Sequence, residues 1–559
     1  MRLFRAGGHP DRHGVILSRP GEANAQCDTA AGRDSDNPAC GTDPLPPKVR
    51  QKPDQSLRYK TTRSIRTTPT TDANVGTKFM TDYDVAIVGL GPTGATLAAV
   101  LADMGCSVLV LDREADIYDL PRAVHFDDEI MRVLQWVGIA DDFQDNVVIN
   151  KGMRFVDMAG NLLLDWPRPQ KITSNGWNAS YRFHQPDLER ALRTGLRQRE
   201  NVTILLSHDV EQVQDTGDDV RLVYRNRTDN SVHDTTALFV VGCDGANSKV
   251  RGTIGSPMVS LGFNQRWLVV DVMLEYEMPE LGDHTLQYCD AKTPSTYCRN
   301  VGLRRRWEFA LPEGESDEKA SDENNIWNRL SGWITRENAE IERSAIYTFK
   351  SEVARDWVRG RLVIAGDAAH LTPPFMGQGL CAGIRDVANL AWKLAACCRQ
   401  GNGPSLLKTY ESERRPVATE YIRTAVRLGE LINRMGSSGK AEEPRTMQSL
   451  RTGLGEGLGK PNDPERGALF GQPTLSNGRR LDDEVGHSPV LITSRPVSPS
   501  KILSGLRVIE TRDEPSLEIE LQAMGALAVL IRPDKRILGA AYTAEDIGDL
   551  VQAGANVWG

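Results

Sequence analysis

Three short motifs place glycine and aspartate where an apolar run of the sequence ends. They are Gly89 to Gly94 with the pattern GxGxxG, Cys243-Asp244-Gly245, and Gly366-Asp367. The residues before each motif are aliphatic and often β-branched, which predicts a buried strand with the motif at its carboxyl end. Ligands of open α/β sheets bind at that edge. The motifs therefore predict a binding site built from distant parts of the chain.

The first motif belongs to a predicted βαβ unit. A strand at Tyr83–Val88 precedes the glycines, a helix follows through Met104, and a second strand ends at Asp112, 23 residues after Gly89. In such a unit the glycines allow a tight turn, close approach of a pyrophosphate and close helix packing, while the terminal acid binds ribose hydroxyls. We therefore predict a dinucleotide site, with contacts from the residues Gly89, Gly91, Pro92, Thr93, Gly94, Asp112 and Arg113.

The segment from Arg361 to Leu394 predicts the other end of that site. A short strand leads into Gly366 and Asp367, prolines and glycines form an extended loop, and a helix with regularly spaced apolar residues follows. A helix N-terminus favours negative charge, so a carboxylate on one side and free amides on the other suit a polyhydroxyl chain on a ring that becomes anionic. A reduced flavin fits this description. The candidate contacts are Arg361, Gly366, Asp367, Pro374, Gly377 and Gly379.

Further candidate contacts precede two predicted helices and follow a third strand. Arg122 and His125 stand before one helix, and Gln185 opens another with Pro186 at its tolerated first position. Asp244 and Gly245 form the second strand-to-turn motif. An arginine before a helix is usually a solvated cap, so the assignment of Arg122 depends on the other motifs.

Composition excludes several classes of protein. The 559 residues carry a net charge of −8 and no broad basic stripe, which argues against a nucleic-acid partner. The most apolar run, residues 85–111, is broken by Asp103 and glycines, so we predict no membrane span. Nine cysteines are scattered without CxxC pairs, which disfavours a disulfide framework or a metal site. Reduced thiols and a cytoplasmic location are expected.

The chain divides into segments of different character. We predict a disordered N-terminal extension at 1–79, with Met80 as a candidate natural start, and a discontinuous nucleotide-binding domain at 80–260 and 355–435. Between its halves, 261–354 predicts a β-rich domain that could cover a pocket. A long helix interrupted by Pro416 precedes a linker or long loop at 436–480, in which Gly453–Gly459 is expected to be flexible. A small α/β domain is indicated at 481–559.

In this order, the three motifs resemble those of the class A FAD-dependent aromatic hydroxylases. Several segments resemble the 3-(3-hydroxyphenyl)propionate and 3-hydroxycinnamate hydroxylases of that family, namely LPRAVHFDDEIMRVLQWVG, QYCD, RRWEF and PPFMGQG. The resemblance implies an α/β fold with a Rossmann-like FAD-binding domain, an inserted β-sheet substrate domain and a C-terminal thioredoxin-like domain, here without redox cysteines. It also implies FAD as cofactor and NADH or NADPH as co-substrate.

The implied reaction is ortho-hydroxylation of a phenolic acid with O₂, and the resemblance assigns residue roles. The first motif would hold the ADP part of FAD, Asp367 the ribityl chain, and Arg122 and Gln185 would contact the flavin. His125 and Tyr288 are weak candidates for assisting phenol deprotonation. The substrate carboxylate is expected to bind an arginine. Arg304, Arg305 and Arg306 are candidates, and the sequence gives no reason to prefer one of them.

Other interpretations remain beside this one. A flavin halogenase lacks support because WxWxIP is absent, and a disulfide reductase because CxxxxC and a second GxGxxG unit are absent. A related hydroxylase acting on another phenol or a polyketide aromatic, and a flavin-binding protein without turnover, stay open. The exact phenol, the choice between NADH and NADPH, and the oligomeric state, a homodimer included, also stay open.

Overall fold

The computed structural model describes residues 81–118, 122–400, 404–438, 453–497 and 505–558. The predicted extension at residues 1–79 lies outside these ranges. Within them the chain forms a mixed α/β fold with four sheets, two of eight strands, one of four and one of three. No helix in the described ranges has both the length and the apolar character needed to cross a bilayer.

The first sheet carries the predicted βαβ unit at its centre. Its strands are β1 (Tyr83–Val88), β2 (Val108–Leu111), β8 (Val202–Leu205), β9 (His208–Asp215), β10 (Val220–Asn226), β11 (Val232–Gly242), β17 (Val358–Arg359) and β18 (Leu362–Ile364). The order is β17-β18-β11-β1-β2-β8, with β10 and then β9 attached to β11. The pairs from β18 to β8 are parallel. Their strands are continuously apolar because both faces of a parallel sheet are covered.

Twelve helices occur in the described ranges, and three of them pack together on the first sheet. Their bounds are α1 (Pro92–Asp103), α2 (Asp128–Trp136), α3 (Ala140–Phe143), α4 (Gln185–Arg197), α5 (Lys249–Ile254), α6 (Asp317–Ser321), α7 (Glu323–Leu330), α8 (Gly379–Gln400), α9 (Pro404–Ser438), α10 (Leu481–Val485), α11 (Pro515–Met524) and α12 (Asp546–Trp558). Helix α1 contacts both α4 and α8. Its alanine-rich, largely buried sequence allows this close packing.

The second sheet forms a roof over one end of the first. Its strands are β5 (Gly152–Val156), β6 (Leu162–Pro167), β12 (Met258–Leu274), β13 (Thr285–Tyr288), β14 (Ser295–Arg299), β15 (Arg304–Ala310), β16 (Ala339–Ala354) and β19 (His370–Leu371). The order is β19-β16-β12-β15-β14-β13-β5-β6. Strand β13 pairs in parallel with β5, so the sheet extends beyond the predicted region 261–354. Such long-range pairing leaves no local pattern in the sequence.

A small antiparallel sheet joins the first two sheets. It contains β3 (His125–Asp127), β4 (Val147–Ile149) and β7 (Ser180–Phe183) in the order β3-β7-β4. His125 pairs directly with Arg182 in this ladder. Residues directly opposite each other in an antiparallel pair project from the same face. The two side chains therefore share one face of the small sheet.

Helix α9 is continuous through Pro416, so the predicted interruption is wrong. Pro416 has no N–H for the Ser412 carbonyl, and the segment after Gly453 packs against this part of the helix. The Gly455 amide donates to the Glu413 carbonyl at 2.9 Å, and the Leu458 amide donates to Glu413 Oε1 at 3.0 Å. The glycine-rich stretch expected to be flexible thus packs on α9. A Cβ at Gly455 would lie 2.4 Å from the Ser412 carbonyl oxygen, which explains the need for glycine there.

The C-terminal part contains a four-stranded mixed sheet. Its strands are β20 (Val490–Thr493), β21 (Arg507–Glu510), β22 (Ala528–Ile531) and β23 (Ile537–Ala541), in the order β21-β20-β22-β23. Strands β20 and β21 are parallel, whereas β22 is antiparallel to both β20 and β23. The sequence predicts strand-like runs at residues 506–510 and 526–531, which correspond to β21 and β22, and it predicts no strand at β20 or β23. Cysteine is absent from residues 481–559.

Buried ion pairs connect this C-terminal part to α8 and α9. We call Lys393, Glu413, Arg532 and Asp534 the C-terminal network. Glu413 accepts hydrogen bonds from Lys393 at 2.7 Å and from Arg532 at 2.8 and 2.9 Å, and Arg532 also pairs with Asp534. Although burial alone would raise the pKa of Glu413, Arg532 and Lys393 hold it below its ordinary value.

Candidate active site

The three glycine-aspartate motifs meet at one edge of the first sheet. Strands β18, β11 and β1 are adjacent and parallel, so their carboxyl ends lie side by side. The Cys243 amide donates to the Val88 carbonyl at 2.8 Å, and the Ala365 amide donates to the Gly242 carbonyl at 3.0 Å. The motifs that are far apart in sequence therefore form one continuous surface.

Glycine is needed at different positions of the first motif for different structural reasons. Gly89 has a φ of +103°, and a Cβ there would lie 2.4 Å from the Cys243 carbonyl oxygen. A Cβ at Gly94 would lie 2.0 Å from the Gly89 carbonyl oxygen. A Cβ at Gly91, by contrast, would meet no protein atom within 4 Å. This open position at the N-terminus of α1 leaves room for a phosphate group to approach the backbone.

A cavity of about 840 Å³ begins at this edge and continues beneath the roof. It receives many of the predicted contacts, namely Gly91, Pro92, Thr93, Arg122, His125, Gln185, Gly245, Asp367, Pro374, Gly377 and Gly379. Other predicted residues do not line it, namely Gly89, Gly94, Asp112, Arg113, Asp244, Tyr288, Arg361 and Gly366. The second group includes glycines that form the turns of the motifs and residues that lie away from the cavity.

Asp367 presents its carboxylate to the cavity. Gly366 turns the chain with a φ of +62°, and its amide donates to buried Asp386 at 3.2 Å. Asp386 is in turn held by His370 at 2.6 Å and Arg414 at 3.0 Å. The surrounding protein desolvates Asp367 and raises its pKa, while His370 and Arg122 act in the opposite direction. This anchored turn gives the carboxylate a fixed position.

Asp244 stands behind the cavity wall with one oxygen unsatisfied. Its Oδ2 accepts a hydrogen bond from the Lys249 amide at 2.7 Å, whereas buried Oδ1 has no partner in the described ranges. Burial raises the pKa of this carboxyl group. Arg251 donates to the Ala246 and Ala368 carbonyls at 2.6 and 2.9 Å and so connects the second and third motifs.

Gln185 fixes the segment that carries Arg122. Its Oε1 accepts hydrogen bonds from the amides of Arg122 and Ala123 at 3.2 and 2.8 Å, and its Nε2 donates to Glu189 at 2.9 Å. The Arg122 side chain is exposed at the cavity and lies over the Tyr118 ring. Gln185 thus acts on the cavity wall through the backbone, which the sequence did not indicate.

Three of the predicted contacts outside the cavity, Asp112, Arg113 and Arg361, have partners elsewhere in the protein. Asp112 Oδ2 accepts a hydrogen bond from the Leu90 amide at 2.6 Å, so this acid lies against the GxGxxG turn. Arg113 is exposed and pairs with Glu114. Arg361 precedes β18 at the opposite end from Asp367, and it donates to the carbonyls of Gly217 and Leu238. The structure does not bring Arg361 to the other contacts.

His125 supports the loop between Pro374 and Gly379. Its Nδ1 lies 3.4 Å from the Gly377 carbonyl, so this nitrogen is the donor, and Nε2 accepts from the Ser180 hydroxyl at 2.7 Å. Asn150 also donates to that hydroxyl at 2.8 Å. Burial, followed by the charges of Arg182 and Arg168, lowers the pKa of His125 to about 3. The ring is neutral at pH 7, with both nitrogens in hydrogen bonds.

Tyr288, the other weak candidate, lies away from the cavity. Its hydroxyl accepts a hydrogen bond from Trp333 Nε1 at 2.8 Å, and the two rings pack with an edge-to-face geometry. Both residues pack against the apolar core under the second sheet. The structure therefore does not bring Tyr288 to the site.

The roof contributes polar residues that the sequence interpretation did not identify. Arg306 is distinguished from Arg304 and Arg305, because it alone among them lines the cavity. The other polar residues that the roof contributes to the cavity are Arg168, Thr285, Gln287, Thr296 and Glu308, together with Tyr347, Thr348, Lys350 and Glu352 of β16. Arg182 of β7 lies at the boundary between this roof and His125. Alternation along β15 could have placed Arg306 and Glu308 on one face, but no local signal identified β6 or β7.

Comparisons with known proteins agree with this geometry. A family model described as FAD binding domain matches residues 82–425. A probable NADH-specific resorcinol 4-hydroxylase of Rhodococcus jostii (strain RHA1) is 38% identical over 372 residues, which cover 66% of this chain and 69% of the relative. A 3-(3-hydroxy-phenyl)propionate/3-hydroxycinnamic acid hydroxylase of Mycolicibacterium gilvum (strain PYR-GCK) is 37% identical over 357 residues. That alignment covers 63% of this chain and 61% of the relative, less than two thirds of its length.

Solved structures show the same fold at low sequence identity. The flavin-dependent monooxygenase PieE, in complex with FAD and substrate, superposes with a TM-score of 0.74 at 18% identity and covers 85% of this chain and 99% of its own. Aklavinone-11 hydroxylase, with FAD and aklavinone, gives 0.73 at 20% identity, with 86% and 99% covered. The chain belongs to the FAD binding domain family, and FAD is its cofactor.

Proposed function

We propose that this protein is an NAD(P)H- and FAD-dependent monooxygenase that ortho-hydroxylates a phenolic acid. The first substrates to test are 3-(3-hydroxyphenyl)propionate and 3-hydroxycinnamate, which would give 2,3-dihydroxy products. The observation that carries the proposal is the single cavity that joins the three motifs to a polar roof. Relatives named as hydroxylases of resorcinol and of these phenolic acids support it.

The residues present fit an FAD molecule. In this proposal the open backbone at Gly91 would accommodate the pyrophosphate, Asp112 beside the GxGxxG turn would bind ribose hydroxyls, and Asp367, which lines the cavity, would bind the ribityl chain. Bound FAD supplies the acceptance of hydride from the reduced nicotinamide and the activation of O₂.

The protein's own task is to position the groups and control charge and water. Gly379 and Leu380 begin α8 at the cavity, and the first turn of α8 contains no acidic residue. The positive end of the helix therefore stabilises negative charge near the flavin ring. His125 holds the Gly377 carbonyl from behind and keeps this loop in place. The second sheet closes the opposite side and limits the access of water.

The predicted domain organisation belongs to the same proposal. Residues 80–260 and 355–435 would form the FAD-binding domain, and 261–354 would supply most of the substrate roof. Residues 436–480 would connect them to a thioredoxin-like domain at 481–559, whose lack of cysteine gives it a structural role. The cysteines in the described ranges are free, which supports a reducing, cytoplasmic location. The homodimer stays a prediction.

The decisive assay uses purified, FAD-loaded protein with NADH or NADPH, O₂ and a panel of phenolic acids. We expect substrate-stimulated NAD(P)H oxidation and a hydroxylated product identified by mass spectrometry. Hydrogen peroxide with unchanged phenol across the panel would contradict hydroxylation. The absence of any stimulated oxidation would favour a flavin-binding protein without turnover.

Resorcinol is the second candidate substrate, because the relative from Rhodococcus jostii carries that name and is 38% identical. Resorcinol is a neutral dihydroxybenzene, whereas the phenylpropanoid substrates carry a carboxylate. The same panel therefore includes resorcinol. Preference for it would keep the monooxygenase proposal and replace the substrate class.

A further inference from the structure

Two arginines at the cavity, Arg182 and Arg168, have no acidic partner among the residues that the structure describes. Arg182 on β7 is only 8% exposed, and it donates a hydrogen bond to Thr285 Oγ1. Arg168 follows β6, and its guanidinium lies 4.2 Å from the centroid of the Trp166 ring. Within the part of the chain that the structure describes, no carboxylate oxygen lies within 4.0 Å of either guanidinium. We call this pair the cavity arginines.

The other cations of the cavity wall either have hydrogen-bond partners or are exposed to water, as Arg122 is over the Tyr118 ring. Arg306 donates to both oxygens of Asp271 at 2.7 and 3.0 Å and to the Arg122 carbonyl at 2.9 Å. Arg251 donates to two backbone carbonyls. Lys350 is exposed where it lines the cavity, so water solvates its charge. The cavity arginines are thus the buried or half-buried positive charges that a ligand is best placed to neutralise.

The electrostatic surroundings of the pair indicate a deficit of negative charge. Burial, and then the charge of Arg182, lower the pKa of Arg168, while burial lowers the pKa of Arg182. The negative charge of Glu308 opposes this lowering of the Arg182 pKa, but Glu308 lies beyond ion-pair distance. Burial raises the pKa of Glu308 itself. An isolated charge in such a site is costly unless a counter-charge binds. An anionic ligand would supply that counter-charge.

The position of Arg182 places this ligand next to the proposed flavin ring. Arg182 and His125 are direct partners across β7 and β3 and share one face. His125 contacts the Gly377 carbonyl in the loop before α8. Thr285, the partner of Arg182, belongs to the roof. Arg182 therefore lies between the flavin loop and the roof, where a substrate would lie.

The geometry points to Arg182, with Arg168 beside it, as the subsite that binds the carboxylate of the phenolic substrate. This inference rests on the proposed function and gives its substrate class a structural cause. A neutral dihydroxybenzene would leave the cavity arginines without a counter-charge, whereas a phenylpropanoid acid neutralises them. The FAD pyrophosphate is not the missing anion, because its proposed position at Gly91 belongs to the opposite, first-motif part of the site.

Binding to the intact holoenzyme tests the inference without a mutation. The dissociation constants of 3-(3-hydroxyphenyl)propionate, its uncharged amide 3-(3-hydroxyphenyl)propionamide, and resorcinol are measured from the change in flavin absorbance. We expect the acid to bind roughly 30-fold or more tightly than the amide, the factor that follows from leaving a buried charge unpaired. Equal binding of acid and amide would overturn the inference.

Variants locate the subsite. Arg182→Met and Arg168→Met should weaken binding of the acid, with the larger loss at Arg182, while binding of the amide and retention of FAD stay unchanged. Arg304→Met is the matched control, since Arg304 lies on the roof strand β15, pairs with Glu342 and does not line the cavity. It should leave all three dissociation constants unchanged.

The outcomes separate this inference from the proposed function. Equal weakening of acid and amide by Arg182→Met, or loss of FAD from that variant, would overturn the carboxylate subsite. If Arg182→Met does not fold, two measurements still test the subsite. They are the ratio of the acid and amide dissociation constants in the unmodified holoenzyme, and the binding of the acid to Arg168→Met. Tight, charge-dependent binding of the acid without any hydroxylated product would support the subsite and contradict the monooxygenase.

Discussion

Two groups of buried arginines in this protein differ in how their charge is neutralised. In the C-terminal network, Arg532 pairs with both Glu413 and Asp534 and is fully buried. At the cavity, Arg182 is nearly as buried, yet the described residues offer it a hydroxyl and no carboxylate within ion-pair distance. The charge of Arg532 is neutralised by two carboxylates, which indicates a structural role for this arginine. Arg182 has no such carboxylate among the described residues. It is therefore available to a ligand.

Removing the acid from the C-terminal network should produce the largest effect. Glu413→Gln leaves Lys393 and Arg532 buried beside a neutral amide, and we expect about 3–5 kcal/mol of destabilisation. The midpoint of urea unfolding measures it. Glu420→Gln is the control, because the Glu420–Arg427 pair is exposed and should change stability by less than about 1 kcal/mol. A similar, small change in both variants would remove the distinction between paired and unpaired buried charge.

On the cavity side, Asp367→Ala should weaken FAD retention while the fold persists. Loss of a hydrogen bond to a charged group costs about 1.5–3 kcal/mol, or roughly 10- to 100-fold in affinity. Flavin occupancy after gel filtration and the dissociation constant of FAD report the change. Asp142→Ala removes an exposed acid on α3 and should leave occupancy intact. Unchanged occupancy in Asp367→Ala would end the ribityl assignment.

His125 gives a smaller effect that depends on pH. Its pKa in the folded protein is about 3, below the ordinary value of 6.5, so the unfolded chain takes up a proton first as the pH falls. Stability contributed by the neutral ring is present above pH 6.5 and is lost between pH 6.5 and 3. We expect about 1–2 kcal/mol less stability at pH 5 than at pH 6.5 from this residue.

The comparison for this prediction is His125→Asn, in which that part of the pH dependence should disappear. Urea midpoints at pH 6.5 and pH 5 give the difference between the two proteins. Other groups, including His487, whose pKa burial lowers to about 4, titrate in both proteins and cancel in the difference. Parallel pH profiles would show that folding does not lower the pKa of His125.

The sequence predicted the nucleotide half of the site better than the substrate half. Glycines at Gly89, Gly91 and Gly94 are required by local turns and close contacts, so their spacing alone indicates the ligand edge. The helix α8 and strand β13 likewise have local patterns, and their predicted positions agree with the structure. Turns and periodic patterns of this kind can be predicted from neighbouring residues without knowledge of the fold.

The roof could not be read in the same way. Its strands β5 and β13 pair across more than a hundred residues, and β7 is a four-residue strand, too short for its alternation to be recognised. Arg182 therefore has no distinguishing context in the sequence, and Arg306 becomes distinct from its two neighbours only through Asp271. The flexibility predicted for Gly453–Gly459 was also wrong, because Gly455, Gly457 and Gly459 allow close packing.

The pairing of His125 with Arg182 also acts as a molecular ruler. Opposed residues in an antiparallel ladder are separated by about 5 Å at Cβ, and the ladder cannot lengthen without breaking its backbone hydrogen bonds. The ladder therefore holds the His125 loop and the start of the Arg182 side chain at a constant separation. Under the proposed subsite, binding would then depend on the length of the chain between the ring and the carboxylate, and a benzoate compared with the phenylpropanoid acid would measure that dependence.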